Sequence, residues 1–408
     1  MVIKMEKILL TGASGFIGQE LEKKLVERNS EIHEIHDIER YVTGRYDHYK
    51  DMKAEEKRVS KHYVDLKNYH IIKNLVHEIS PDYIIHLAAI SPVAYSYDNY
   101  LEVTEVNYLS SINLAEAARK LENFKQFIFA GTSEEYGLAI LDKNKKLTEN
   151  SELKPNSPYA VAKVATDMYL QYMGLAYNFP YTVIRPFNTY GRTDNNHFFI
   201  ERTITQMLEG KAVKLGDSEA IRDWLYVDDH VEGYMKVLGN KRAVGQTIQL
   251  STGKGHTTKE TAEIIAEMTG YTGDIEWNAT QKRPLDAKVL IGDNSKAKEL
   301  LGWEPKYTLE QGLGKTITFW KDKRAVGQTI QLSTGKGYTT KETAEIIAEM
   351  TGYTGDIEWN ATQKRPLDAK VLIGDNTKAK ELLGWEPKYT LEQGLEKTIA
   401  FWKEKLKA

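Results

Sequence analysis

Tyr159 and Lys163 stand four residues apart in Tyr159-Ala-Val-Ala-Lys163, directly after Asn156-Ser157-Pro158. On a helix that spacing puts both side chains on one face. An ammonium beside a phenol lowers the phenol's pKa, so a phenolate becomes available near neutral pH. Such a base can take a hydroxyl proton while the carbon bearing that hydroxyl gives up a hydride. The same pair on an ordinary surface helix would do nothing of the kind, so the functional reading depends on the neighbouring motifs.

One of these lies near the start of the chain, where an apolar run at 7–11 passes into Gly12-Ala13-Ser14-Gly15-Phe16-Ile17-Gly18. Glycines at such a junction allow a tight turn, close approach to a pyrophosphate and close helix–sheet contact. The helix that follows, through Leu21, Leu25 and Val26, offers unpaired N–H groups to the phosphates. Asp37 follows 19 residues after Gly18, at the end of the next strand-like run. An acid there binds the adenosine ribose hydroxyls and repels a 2′-phosphate, which favours NAD; Arg40 close by keeps NADP open. A third group, Thr132-Ser133-Glu134, follows the strand-like run Gln126–Ala130, at the carboxyl edge where such sheets bind ligands.

The elements that must position these groups follow from hydrophobic pattern. Strands are expected at 7–11, Glu31–Ile38, Tyr83–Leu87, Gln126–Ala130 and Thr182–Arg185. Helices are expected after Gly15 and at Tyr69–Ile79, Val103–Leu121 and Tyr159–Leu175. Strands alternating with helices at this spacing imply an α/β fold, a doubly wound parallel sheet covered on both faces. The charge-rich stretch Arg40–Lys61 fits no element and reads as a solvated excursion. His33 and His36, beside Asp37, have metal-ligand residue types, but a strand would point the two histidines to opposite faces, so no metal is expected.

Composition excludes several classes. The 408 residues carry 55 Lys+Arg against 58 Asp+Glu, a formal charge of −3, and no cysteine. The charge balance lacks the basic stripe of a nucleic-acid binder, and the missing cysteines exclude disulfides, thiolate metal sites and thiol catalysis. The opening Met1-Val-Ile-Lys-Met-Glu6 is too charged for a secretory signal, and no run nears the roughly 18 apolar residues of a membrane span. A soluble, cytoplasmic protein is expected.

The second half repeats itself. Residues 241–322 recur 82 positions later at 323–404, with five differences: His256/Tyr338, Ser295/Thr377, Gly314/Glu396, Thr318/Ala400 and Asp322/Glu404. This closeness is far from the degeneracy of a solenoid and reads as a segmental duplication. Each copy is expected to hold a strand like Thr247–Ser251, a helix capped by Thr257 or Thr258 and ending at Gly270, a short strand near Ile275–Trp277, a helix ending near Leu301 and a last helix Leu309–Phe319. Two such copies would compete for one docking surface. Adjacency favours the first only weakly, since loop closure grows by about 0.6 kcal/mol per doubling of length. Gly314 within the last helix of the first copy costs it about 1 kcal/mol against Glu396.

The spacing GxxGxxG, with several further motifs, resembles the extended short-chain dehydrogenase/reductase family, the nucleotide-sugar epimerases and dehydratases. The other motifs are Asp65-Leu66, His86-Leu87-Ala88-Ala89, Asn107, Thr132–Gly137, Tyr159–Lys163, Arg185-Pro186-Phe187-Asn188, Ile221–Asp229 and Arg283-Pro284-Leu285-Asp286. The resemblance covers the whole chain apart from the additional repeat, and without that copy one complete enzyme remains.

The resemblance implies a Rossmann-like NAD-binding domain at 1–185, and a smaller α/β substrate-binding domain at 186–322 with room to return strands or helices to the first. The second copy then occupies 323–408. Gly12, Gly15, Phe16, Ile17, Gly18, Asp37, Asp65, Leu66, Leu87, Ala88, Ala89, Asn107 and Pro186 would hold the cofactor with Tyr159 and Lys163, Asp65 and Leu66 at adenine. Thr132 would hydrogen-bond the sugar O4. Ser91, Asn188, Arg202 and Arg222 would face the nucleotide diphosphate-sugar, and Arg283 or its duplicate Arg365 would close over the nucleotide. The family's dimers pack two helices per subunit into a four-helix interface, so Val103–Leu121 and Tyr159–Leu175 imply a homodimer.

Glu134 separates the subclasses. The 4,6-dehydratases of the family carry a glutamate here that removes the C5 proton once C4 is a ketone. The 4-epimerases carry small hydroxyl residues instead. Thr132-Ser133-Glu134 is the GDP-mannose 4,6-dehydratase pattern, whereas dTDP-glucose dehydratases, similar over Ile221–Val227, place an aspartate where Ser133 stands. UDP-glucuronate decarboxylases share Thr-Ser-Glu but differ around the tyrosine, so Ser157-Pro158-Tyr159 speaks against them. A GDP-mannose or dTDP-glucose 4,6-dehydratase is the expected function. A UDP-sugar 4-epimerase, a decarboxylase and a non-catalytic dinucleotide-binding protein stand as alternatives.

Overall fold

The computed structural model describes residues 6–29, 33–39, 59–139, 145–193, 195–280, 284–325, 329–359 and 371–405. Contacts group the chain into two compact units, Met1–Ile317 and Thr318–Ala408. The first half contributes strands β1 (Glu6–Thr11), β2 (His33–Glu39), β3 (Val59–Tyr63), β4 (Tyr83–His86), β5 (Gln126–Ala130) and β6 (Tyr181–Pro186). Its helices are α1 (Phe16–Asn29), α2 (Tyr69–Ile79), α3 (Val93–Asp98), α4 (Tyr100–Thr104), α5 (Ser110–Ala118) and α6 (Pro158–Tyr177). Strands β7 (Asn188–Tyr190), β8 (Val213–Lys214), β9 (Ile221–Arg222), β10 (Trp224–Tyr226), β11 (Gln246–Leu250), β12 (His256–Thr257), β13 (Ile275–Glu276) and β14 (Val289–Leu290) follow. With them come α7 (Phe199–Leu208), α8 (Val227–Val237), α9 (Thr258–Thr269), α10 (Ser295–Leu301) and α11 (Leu309–Ala325), then α12 (Thr340–Thr351), α13 (Thr377–Leu383) and α14 (Leu391–Lys405).

Seven strands form one sheet in the order β11-β6-β5-β4-β1-β2-β3, and every pairing is parallel. Its central strands β1, β4, β5 and β6 carry apolar residues on both sides because both sides are covered. Ile8, Leu10, Ile85, Ile128 and Ile184 pack into one core with α1 and α8 residues such as Leu21 and Val231. The intervening Leu9, Ile84, Phe127, Phe129 and Val183 pack into a second core with Ile72 and Val76 of α2 and Leu114 of α5. Helix α2 shows how local the helix signals are. Asn68 caps its start by accepting from Ile71 N, Ser80 closes it in the left-handed region, and Ile72, Val76 and Ile79 form the buried face. The chain order of strands reverses between β1 and β4, and at such a switch point the carboxyl ends of the strands open a crevice for ligands.

Two expectations change. Part of the stretch expected as a solvated excursion is edge strand β3, paired with β2 so that Lys61 lies opposite Asp37; residues 40–58 lie outside the described residues. The helix expected at Val103–Leu121 is interrupted by a π turn at Glu105–Leu109. The Asn107 carbonyl in that turn accepts the hydroxyls of Ser111 at 2.8 Å and Thr166 at 3.0 Å, contacts that a 3.6-residue pattern does not reveal.

The two copies of the repeat differ in the same instructive way. Residues 246–250 of the first copy complete the large sheet, with Ile248 opposite Ile184 of β6. Its short strands β12 and β14 flank β9. The second copy keeps its helices: Thr257 and Thr339 start α9 and α12 with the same capping box, and Gly270 and Gly352 end them. It keeps no strand among its described residues. A helix satisfies its backbone internally, whereas a strand needs a neighbour. Leu250 and Leu290 are 0% exposed, while their counterparts Leu332 and Leu372 are 63% and 92% exposed. No described helix is long and apolar enough to cross a membrane.

Candidate functional site

The crevice begins where β1 meets α1. Gly12 adopts φ +78°, and a Cβ there would lie 2.8 Å from Ala88 N; a Cβ on Gly18 would lie 2.0 Å from Gly12 O. No larger residue fits either position. The turn closes through Gly15 N donating to Gly12 O at 3.0 Å, and Phe16 starts the helix whose first N–H groups form an anion site. Gly12, Gly15, Phe16, Ile17 and Gly18 line a cleft of about 910 Å3 together with Leu87 and Ala89 from the end of β4. This cradle, too tight for any side chain, fits a dinucleotide pyrophosphate.

Behind the cradle, buried polar groups fix the segment after β4. His86 bonds Thr11 Oγ1 through Nδ1 at 2.7 Å and Ser111 Oγ through Nε2 at 2.8 Å. Burial and the Lys163 charge push its pKa down to about 3, so the ring is neutral. Ala88 N donates to Thr11 Oγ1 at 3.2 Å. Asn107 accepts from Ile90 N at 2.8 Å and donates to Ile90 O at 2.9 Å, clamping that segment from behind.

Thr132, Ser133 and Glu134 occupy a single 3₁₀ turn just after β5, started by Thr132, whose hydroxyl accepts from Glu134 N at 3.2 Å. Tyr159 and Lys163 lie on α6, which Ser157 caps by accepting from Ala160 N at 3.2 Å and which opens on Pro158. All five residues are buried and all line the same cleft. Burial drives the Tyr159 phenol's pKa up, Glu134 and Glu135 add to this, and the Thr132 hydroxyl and the Arg192 charge oppose it. The expected lowering by Lys163 is not the arrangement seen. Lys163 Nζ donates to Ala130 O at 2.7 Å and sits 4.7 Å over the Phe129 ring, and burial lowers its own pKa to about 8.

The substrate side of the cleft adds Ser91, after β4, to residues from the second half of the unit: Pro186, Asn188, Arg202 on α7 and Arg222 on β9 all line it. Arg222 is held by Asp286, its Nη2 3.2 Å from Oδ1. Asp37, Asp65, Leu66, Ala88 and Asn107 are not among the lining residues. Asp37 is fully buried in β2 with Lys61 Nζ 3.8 Å away. Asp65 accepts from Lys67 N at 3.0 Å, and Leu66 packs against the core. Arg40, Arg283 and Arg365 lie outside the described residues.

Sequence reasoning did not single out Arg192 or His230, which both line the cleft. The Arg192 guanidinium sits 3.6 Å over the Phe198 ring and 4.5 Å over that of Phe16, bridging the glycine turn and the substrate side. Its Nη1 donates to Thr189 O at 2.6 Å. The available signal was its place four residues after Asn188. Burial and the Arg192 charge lower the pKa of His230 to about 3, so it is neutral beside Thr189.

Over residues 9–316, and again over 322–398, the chain matches the model of a family described as GDP-mannose 4,6 dehydratase. The chain belongs to that family. A UDP-glucose 4-epimerase of Mycolicibacterium smegmatis is 30% identical over 327 residues, which cover 78% of this chain and 99% of that protein. The GDP-mannose 4,6-dehydratase of Yersinia enterocolitica is 30% identical over 348 residues, covering 75% and 91%. Among solved structures, dTDP-glucose 4,6-dehydratase of Bacillus anthracis in complex with NAD has a TM-score of 0.69 at 28% identity, covering 78% of this chain and 97% of that one. The Rossmann-like α/β fold implied by the motifs is therefore present, in a family of nucleotide-sugar dehydratases with epimerases among its relatives.

Proposed function

We propose that this chain is an NAD-dependent 4,6-dehydratase of a nucleotide diphosphate-hexose, of the GDP-mannose or dTDP-glucose type. One observation carries the reading: Glu134 is 7% exposed and lines the same cleft as Thr132, Tyr159 and Lys163. Epimerisation at C4 has no use for a carboxylate there, which is what favours dehydration over the 4-epimerase activity found among the relatives. NAD, once bound, supplies a hydride acceptor that later returns the hydride.

The chain's own groups then have distinct tasks. The glycine cradle and the start of α1 hold the pyrophosphate. Tyr159 takes the proton from the sugar O4 as C4 is oxidised, with Thr132 hydrogen-bonded to O4. Lys163, charged below about pH 8, orients the cofactor ribose. The new C4 ketone acidifies the C5 hydrogen; Glu134 removes it and passes a proton to the C6 hydroxyl, which leaves as water, with Ser133 at its side. Asn188, Arg202 and Arg222 bind the diphosphate, for which a planar guanidinium is suited.

We further propose a cytoplasmic homodimer. Val161, Met168, Tyr172 and Leu175 form an exposed stripe along α6, beside exposed Tyr100, Leu101 and Leu109. The activity is tested by incubating the protein with GDP-mannose, dTDP-glucose and UDP-sugars and measuring the 4-keto chromophore in alkali. A 4-keto-6-deoxy product supports the reading; interconversion of C4 epimers alone would replace it with the epimerase.

A further inference from the structure

Next to Glu134 stands a second carboxyl that this chemistry leaves unused. Glu135 is 0% exposed. Its Oε1 accepts from Thr132 N at 2.9 Å, so the side chain folds back over the turn it ends. Gly131 makes room for it: a Cβ there would lie 2.6 Å from Glu135 Oε1. On its other side, Glu135 Oε2 is 2.8 Å from Arg185 Nε on β6. The same guanidinium is 2.7 Å from Asp167 Oδ2, and its Nη1 donates to Tyr136 Oη at 3.0 Å and to Glu149 O at 3.4 Å. Asp167 lies on α6, one turn beyond Lys163 and two beyond Tyr159.

One side chain thus joins the turn carrying Thr132 and Glu134, strand β6, and the helix carrying Tyr159 and Lys163. We propose that Glu135 is a positioning residue for the reaction, clamping the Thr132–Glu134 turn to α6 through Arg185 and Asp167 and setting the charge around Tyr159 and Lys163. Two carboxyls face one guanidinium in a dry site. Burial and the Asp167 charge hold Glu135 well above the usual carboxylate range, and a hydrogen bond between the two carboxyls adds to this. The ionisable groups around it are Glu134 and Tyr136 on its own turn, Arg185 on β6, and Asp167, Lys163 and Tyr159 on α6. When Glu135 ionises at alkaline pH, its charge raises the pKa values of both Tyr159 and Lys163.

Two full-length variants test this. In Glu135→Gln the amide reproduces the neutral acid, accepting from Thr132 N and donating to Asp167, but it never ionises. Its kcat near neutral pH should stay within about threefold of wild type, while the alkaline limb of the rate moves to lower pH. Glu135→Leu removes the clamp as well and should lower kcat about tenfold or more, with KM for the nucleotide sugar within about twofold. The activity arm rests on the dehydratase reading; a second readout does not. NAD binding followed against pH should lose its Lys163-dependent part at lower pH in Glu135→Gln, with no sugar nucleotide present. An unshifted pH dependence of NAD binding in Glu135→Gln overturns the proposal, as does a Glu135→Leu enzyme with wild-type kcat and pH profile. Should Glu135→Leu fail to fold, the Glu135→Gln titration decides alone. Should wild type turn over no nucleotide sugar, the dehydratase reading falls and the titration still judges Glu135.

Discussion

Lys163 Nζ donates to the carbonyl of Ala130 at 2.7 Å, tying the helix that carries Tyr159 to the last residue of β5, just before the Thr132 turn. The ammonium is fully buried, and burial brings its pKa down to about 8. As pH rises through that value the charge is lost, and with it the attraction for the cofactor ribose. The proposed dehydration should therefore decline as pH rises through about 8. Lys163→Met should lower kcat by about 10²-fold or more and remove that limb. A pH–rate profile of both proteins checks this, and an alkaline limb that survives in Lys163→Met contradicts it.

Gly18 is a sharper test of the cradle than any charged residue. A Cβ there would sit 2.0 Å from Gly12 O, and backbone cannot yield that much cheaply. Gly18→Ala should destabilise the fold by about 2 kcal/mol and abolish NAD binding in the surviving folded protein. Thermal unfolding and fluorescence titration with NAD measure the two effects. Wild-type values for both would remove the cradle from the account.

The exposed stripe on α6 predicts a dimer. Leu175 is 90% exposed and Met168 55% exposed, and each sits where a partner helix would cover it. The double substitution Met168→Glu with Leu175→Glu should give a folded monomer by sedimentation, where wild type sediments as a dimer. A wild-type monomer would sink the interface.

Helix α2 and strand β5 were legible to the residue at Tyr69–Ile79 and Gln126–Ala130, because caps and apolar runs are written locally. The cleft's glycines, Thr132–Glu134, Tyr159 and Lys163 were legible for the same reason: each belongs to a short motif at a strand or helix end. What stayed hidden depends on distant partners. The π turn around Asn107 is set by Ile90 and Thr166. Strand β3, Val59-Ser-Lys-His-Tyr63, is polar because it is an edge. Arg192 acquires its role only when Phe16 and Phe198 fold to either side of it. The repeat shows the principle within one chain, since among the described residues near-identical sequence forms helices in both copies and strands only where a neighbouring strand receives them.

The most direct measurement runs the reaction in deuterated water and locates the label in the product. Wild type should give a 4-keto-6-deoxy sugar carrying deuterium at C5, because the C5 proton is removed by Glu134 and replaced from solvent. Glu134→Gln should still reduce the bound nicotinamide, seen by its absorbance, yet release no 6-deoxy product. A Glu134→Gln enzyme that forms labelled 6-deoxy product at the wild-type rate would contradict the assignment.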